Sequence, residues 1–180
     1  MIGSVWNKWD LHLHSPLTNL NNNYGKTTLK EYAQAIKAAN LSLIGVTNYF
    51  YFKENELELI RAALKEIDSK TVILGNIEFR INQPNKEGEW INVHVIFSEA
   101  ISTKTINDLL SKFIVTNTTN DGKNIWCSEE SFKTCGVDAG EIVVEPKSLL
   151  KHLEDNLIAG KDFMIAMCPN GYGGFQPDRK

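Results

Sequence analysis

Apolar residues change period along this chain, and each change marks an element. Lys8 to Leu13 alternates like a half-buried strand and breaks off at Ser15-Pro16. Thr28-Leu29-Lys30-Glu31 has the capping-box pattern, in which Thr28 and Glu31 satisfy each other's free backbone donors. Leu29, Tyr32, Ala33, Ile36 and Ala39 then keep helical spacing. Leu41 to Thr47 is a continuous apolar run, as expected of a strand buried on both faces. Leu57, Ile60, Leu64 and Ile67 mark a second helix. Val72 to Ile81, interrupted by Gly75, reads as a third strand. Trp90 to Phe97 reads as a fourth, joined to the third through polar Asn82 to Glu89 as a hairpin or a lengthened loop. Ser102 and Thr103 can cap a third helix, with Ile106, Leu109, Leu110 and Phe113 on its apolar face. Pro146 suits the first turn of a fourth helix, faced by Leu149, Leu150, Leu153 and Leu157 and stopped at Gly160. Phe163 to Cys168 is a last strand, ending in the turn-forming run Pro169 to Gly174.

Asn117 to Gly140, rich in Thr, Asn, Gly and Ser, reads as a loop or insertion. No internal repeat, coiled coil or low-complexity tract interrupts the pattern. The alternation of strands and helices predicts one α/β domain over 1–180 with a mostly parallel sheet. In such folds chemistry collects at the carboxyl ends of strands.

Composition narrows the classes. No apolar run approaches the roughly 20 residues of a membrane span, and Met1 to Lys8 has no apolar signal region. A cytoplasmic protein without a membrane partner is the expectation. A net charge of −3 gives no broad attraction to nucleic acid. It leaves open a nucleic-acid substrate met by locally bound metal. Three cysteines without a CxxC pair do not make a disulfide framework, and Cys127 and Cys135 read as ordinary thiols.

Polar residues do gather at strand ends. Asp10, His12 and His14 share one face of the first strand by its period of two. Thr47, Asn48 and Tyr49 close the second strand, Glu78 lies late in the third, His94 lies in the fourth and Cys168 closes the last. Each has a bland reading: strand histidines bonded to backbone, a solvated glutamate, a small buried thiol. Together, at equivalent positions of successive units, they point to a metal centre.

The chain resembles the PHP (polymerase and histidinol phosphatase) superfamily. Asp10-Leu11-His12-Leu13-His14-Ser15 matches its D-x-H-x-H-S motif, Gly75-Asn76-Ile77-Glu78 its glutamate, Val93-His94-Val95 its strand histidine, and Met167-Cys168-Pro169 its late His-Pro or Cys-Pro. The resemblance implies a distorted (β/α)7 barrel, incomplete in this chain. It also implies a metal-dependent phosphoesterase that hydrolyses nucleic acid or nucleotides with a metal-activated water. His12, His14, Glu78, His94 and Cys168 would hold one or two divalent ions (Mn, Zn or Fe), with Glu78 as the bridge. Two departures stand out. The family's Asp-His pair is Asn48-Tyr49, which would face substrate instead of a third metal, and no late Asp-x-His follows Cys168. Trp6 and Lys8-Trp9 before the first motif resemble a narrower group, in which a PHP domain heads an SMC- or AAA-like ATPase tied to phage defence. That likeness predicts a longer protein with an ATPase domain or subunit as partner. Two other readings remain: a degenerate PHP domain regulating such an ATPase, and a plain α/β binding domain with structural histidines.

Overall fold

The computed structural model describes residues 6–85, 88 and 90–167. Its elements in chain order are β1 (Lys8–His14), α1 (Leu29–Ala38), β2 (Leu41–Tyr49), α2 (Glu56–Glu66), β3 (Val72–Pro84), β4 (Trp90–Phe97), α3 (Thr103–Leu110), β5 (Ile114–Thr118), β6 (Asn124–Trp126), α4 (Glu129–Thr134), α5 (Pro146–Glu154) and β7 (Phe163–Ala166). Local chemistry sets several of these boundaries. Thr28 and Glu31 close the capping box of α1, with the Glu31 N–H donating to Thr28 Oγ1 at 3.2 Å and the Thr28 N–H donating to Glu31 Oε2 at 2.8 Å. Ser102 caps α3, and Glu145 caps α5 ahead of Pro146. Helix α5 stops at Asp155, before the predicted Gly160, which sits at φ 78° in the turn into β7. Gly75 does not interrupt β3; its bare Cα faces Leu57, Ile106 and Phe52, where a Cβ would lie 3.0–3.3 Å from their side chains.

The expected (β/α)7 barrel is not formed. Five strands make an open sheet in the order β1-β2-β3-β4-β7, and β5 and β6 make a separate two-stranded sheet. The sheet is mixed, not mostly parallel. β1 pairs parallel with β2 and β2 with β3, whereas β4 is antiparallel to both β3 and β7. A parallel barrel needs a crossover of a dozen or more residues between each pair of strands. Only α1 and α2 provide one here, because the short link after Pro84 turns the chain straight back into β4.

Ile44, Val46, Ile73, Ile77, Phe79, Val93, Val95 and Phe97 face the helices and form one core with Tyr32, Ile36, Leu57, Ile60, Ile106 and Leu110. The segment expected to be loop holds the end of β5, then β6 and α4. Ile125 and Cys127 of this segment join the core, and the Cys127 thiol donates to the Phe50 carbonyl at 3.1 Å. Cys127 and Cys135 are free thiols. His152 is half-buried, with Nε2 2.9 Å from the Leu109 carbonyl oxygen and its ring against Phe113, so it docks α5 on α3. Among the described residues no helix is long and apolar enough to cross a membrane.

Candidate metal centre

The sheet register lines up the site. Tyr49 of β2 lies opposite Glu78 of β3, which lies opposite His94 of β4, so one row crosses three strands. These side chains point away from the helices, because Ile77, Phe79, Val93 and Val95 occupy the alternate positions that do face them. β1 reaches the row through an irregularity between Asp10 and Leu13. There the Leu11 carbonyl folds over Gly45, so closely that a Cβ on Gly45 would lie 2.3 Å from its oxygen. The Asn76 amide holds that carbonyl in place by donating to it at 2.7 Å. The bulge carries His12 over the row.

Three imidazoles thereby surround one carboxylate. His12 Nε2 lies 3.2 Å and His14 Nε2 3.7 Å from Glu78 Oε2. The His12 ring centroid is 4.5 Å from that of His94 and 5.2 Å from that of His14. Ligand atoms of His12, Glu78 and His94 all fall within 4.8 Å of one another. Glu78 Oε1 accepts from the Asn92 amide. His94 Nε2 is buried and has no hydrogen-bond partner, while Glu78 Oε2, equally buried, faces the imidazoles of His12 and His14. A buried nitrogen left without a partner is costly unless something else satisfies it.

The neighbours decide which nitrogen of His94 is free. Asn76 must point its NH2 toward the Leu11 carbonyl and Thr47 Oγ1 (2.7 and 3.0 Å), because a carbonyl can only accept. Its Oδ1 therefore faces His94 Nδ1 at 3.2 Å and requires a proton there. Nε2 is left with an unshared lone pair. His14 follows the same logic at one remove. Asn48 Oδ1 accepts the backbone N–H groups of Asn19 and Tyr49, both at 2.8 Å, and the Thr18 hydroxyl at 3.4 Å. Thr18 Oγ1 is then left to accept from His14 Nδ1, 3.2 Å away.

Charge is distributed unevenly. Burial lowers the His94 pKa to about 4, so the ring is neutral at physiological pH. Burial also keeps His14 below its ordinary value. His12 is raised by its contact with Glu78, against the cost of its partial burial. Burial pushes the Glu78 carboxyl up, but His12, His94 and His14 outweigh it and hold it below the usual carboxylate range. His12 therefore holds its proton more tightly than a free imidazole does, and Glu78 gives its proton up more readily than a free carboxyl.

The other sequence candidates fare differently. Asn48 does not face the centre. It is fully buried on the helix side of β2, where its amide donates to Glu56 Oε2 at 2.7 Å and its Oδ1 holds the 15–19 loop. Tyr49 stacks on His14 with centroids 5.1 Å apart, and burial and the Glu78 charge raise its pKa, so it is a neutral hydroxyl. Asp10 Oδ1 accepts the His12 backbone N–H at 3.0 Å, and its charge adds to the rise of the His12 pKa. Cys168 lies outside the described residues. Asn76, Asn92, Thr18 and Gly45 escaped the sequence reading. Asn76 and Asn92 carry a signal in retrospect, since each stands two residues from a candidate ligand on the same strand face.

A scan against protein-family models finds no match, and a comparison with curated proteins finds none either.

The donor set of imidazole nitrogens and one carboxylate suits Zn, Mn or Fe. His94 Nε2 lacks any other partner, and Asn76 holds its ring as metal-binding histidines are commonly held, through the second ring nitrogen. The residues present fit a divalent cation.

Proposed function

We propose that the chain is a metal-dependent phosphoesterase acting on nucleic acid or nucleotides, with a divalent ion held by Glu78, His12 and His94 and approached by His14. The observation that carries it is the buried, unpartnered His94 Nε2 within 4.8 Å of the ligand atoms of Glu78 and His12. The step from metal to phosphoester rests on the motif likeness to the PHP superfamily through Asp10-x-His12-x-His14-Ser15, Glu78 and His94. It does not extend to that family's barrel. A divalent ion bound there would acidify a water and neutralise charge building on phosphate oxygens.

The chain's own residues supply the rest. Glu78 is the anionic ligand, and Asn92 orients it. His94 offers a lone pair that needs no deprotonation. The Tyr49 hydroxyl, neutral and beside His14, donates to a phosphate oxygen. Asn48 serves as a strut, a revision of the substrate-facing role expected of it. Cys168 as a further ligand, a cytoplasmic location and an attached ATPase belong to the same proposal.

The test is hydrolysis of bis(p-nitrophenyl) phosphate with added Mn. Glu78→Gln and His94→Ala should each lose at least about 100-fold, since even the outer partners of metal ligands are worth 10–100-fold. Hydrolysis unchanged in both variants would refute the assignment. A second reading, a metal-binding regulatory module without turnover, is favoured by one feature. Among the described residues Glu78 is the only carboxylate in the cluster. Saturable Mn binding with no hydrolysis would select it.

A further inference from the structure

We infer that the sheet face running from Glu78 and His94 toward the β3–β4 turn is a track for single-stranded nucleic acid, with a backbone phosphate on Arg80 and a base stacked on Trp90. The inference rests on the metal-centre reading and gives it a substrate of more than one nucleotide.

Register places Glu78, His94 and Arg80 on one face, and alternation along β4 places Trp90, which pairs with Pro84 beyond an irregularity between Ile81 and Pro84 of β3. Glu78 pairs with His94, and Arg80 pairs with Asn92 in the next row of that face. Asn92 points to the metal side, because its amide reaches Glu78. Trp90, two residues earlier on the same strand, shares its direction, while Ile91 between them is buried at 6% exposure on the helix side. At about 3.4 Å per residue, Arg80 stands roughly 7 Å beyond Glu78 and Trp90 roughly 13 Å beyond His94. A single phosphate at the centre cannot span that distance; a strand with successive phosphates and bases can.

The chemistry of each group fits its place. The Arg80 guanidinium is anchored by donation from Nη1 to the carbonyls of Ala139 and Gly140. Those partners are neutral, so they orient the cation without cancelling its charge. A chain of net charge −3 offers nucleic acid no general attraction, so a fixed cation beside the centre matters more here than on a basic surface. Trp90 is 42% exposed at the start of β4, next to buried Ile91. A lone exposed tryptophan means little. One in line with an anchored arginine and a metal-type cluster has the form of a stacking platform, which accepts any base because every base has a flat face.

The test is equilibrium binding of fluorescent, hydrolysis-resistant phosphorothioate dT10, and of the same backbone without bases, to the full chain with Mn. Trp90→Ala should weaken dT10 about tenfold and leave the abasic strand nearly unchanged. Arg80→Ala should weaken both and reduce the slope of log affinity against log salt by about one. Arg80→Lys, which keeps the charge, should keep that slope and guards against a mere folding defect. The track is overturned if Trp90→Ala and Arg80→Ala bind dT10 as the parent does, or if the parent retains Mn and binds no dT10. Failure to retain Mn while the two variants still behave as described would remove the metal reading and leave the track standing.

Discussion

At the scale of single residues, asparagines rather than histidines set the chemistry of the cluster. An imidazole can present either nitrogen, and Asn76 removes the choice for His94 because the Leu11 carbonyl dictates which way the amide points. Asn76→Leu keeps the volume and removes that instruction. Long-range 1H–15N spectra of the metal-free protein should then show His94 leaving the pure Nδ1–H form, and Mn affinity should fall 10–100-fold. An unchanged tautomer would show that Asn76 plays no such part. This layer is faint in the sequence for a plain reason. His12, His14, Glu78 and His94 advertise metal chemistry by residue type, whereas Asn76 and Asn92 offer only their place two positions from a candidate ligand on the same strand face. Asn48 was misread by ignoring strand alternation. Thr47 and Tyr49 pair with Asn76 and Glu78 on the metal side, so Asn48 between them must face the helices. There it joins Ser15, Glu56 and Lys53 in a buried network. Glu56 Oε1 accepts from the Ser15 hydroxyl at 2.6 Å, and Oε2 accepts from the Lys53 N–H at 3.0 Å. Burial raises the Glu56 pKa even so.

At the scale of elements, the decisive one is β1. A regular strand would leave His12 and His14 side by side over β2. The bulge between Asp10 and Leu13 instead swings His12 above β3, and it exists only because residue 45 lacks a Cβ. Gly45→Ala should therefore destabilise the fold by about 1–3 kcal/mol in urea titration, and weaken Mn binding as His12 is displaced. Gly75→Ala is the control. Its Cβ would meet only the side-chain ends of Leu57, Ile106 and Phe52, on the other face of the sheet, so Mn binding should hold. Equal losses of Mn affinity in the two variants would contradict the role given to the bulge. Most elements were legible beforehand, because capping chemistry and apolar period are local signals: Thr28 with Glu31, Ser102, Pro146 after Glu145. The bulge was not, since nothing in the spacing of Asp10, His12 and His14 distinguishes a flat strand from a folded one. The β5–β6 hairpin and α4 were hidden under polar composition, with Ile125 and Cys127 supplying too few apolar residues to set a period.

At the scale of the whole molecule, helices line one face of an open mixed sheet and the charged cluster occupies the other. The barrel expectation came from family likeness, and strand direction overturns it. Between Pro84 and Trp90 there is no room for a crossover helix, so β4 must return antiparallel. That reversal is also what sets His94 directly opposite Glu78. The convergence of ligands thus survives the loss of the barrel because it depends on register between neighbouring strands, not on closure.

The central claim is that this register builds a cation site, and it carries a pH signature. His12 titrates above its ordinary 6.5, Glu78 stays ionised, and His94 protonates only near 4. Near pH 6 a cation must displace the His12 proton. Affinity should therefore rise with pH until His12 has lost that proton, then level off. Calorimetric titration of the protein with Mn, in buffers of different ionisation enthalpy, reads both quantities at once. The account predicts one saturable site per chain, nearly one proton released per Mn near pH 6, a release that fades at higher pH, and loss of the site in Glu78→Gln. No saturable binding, or equal binding by Glu78→Gln, would contradict it.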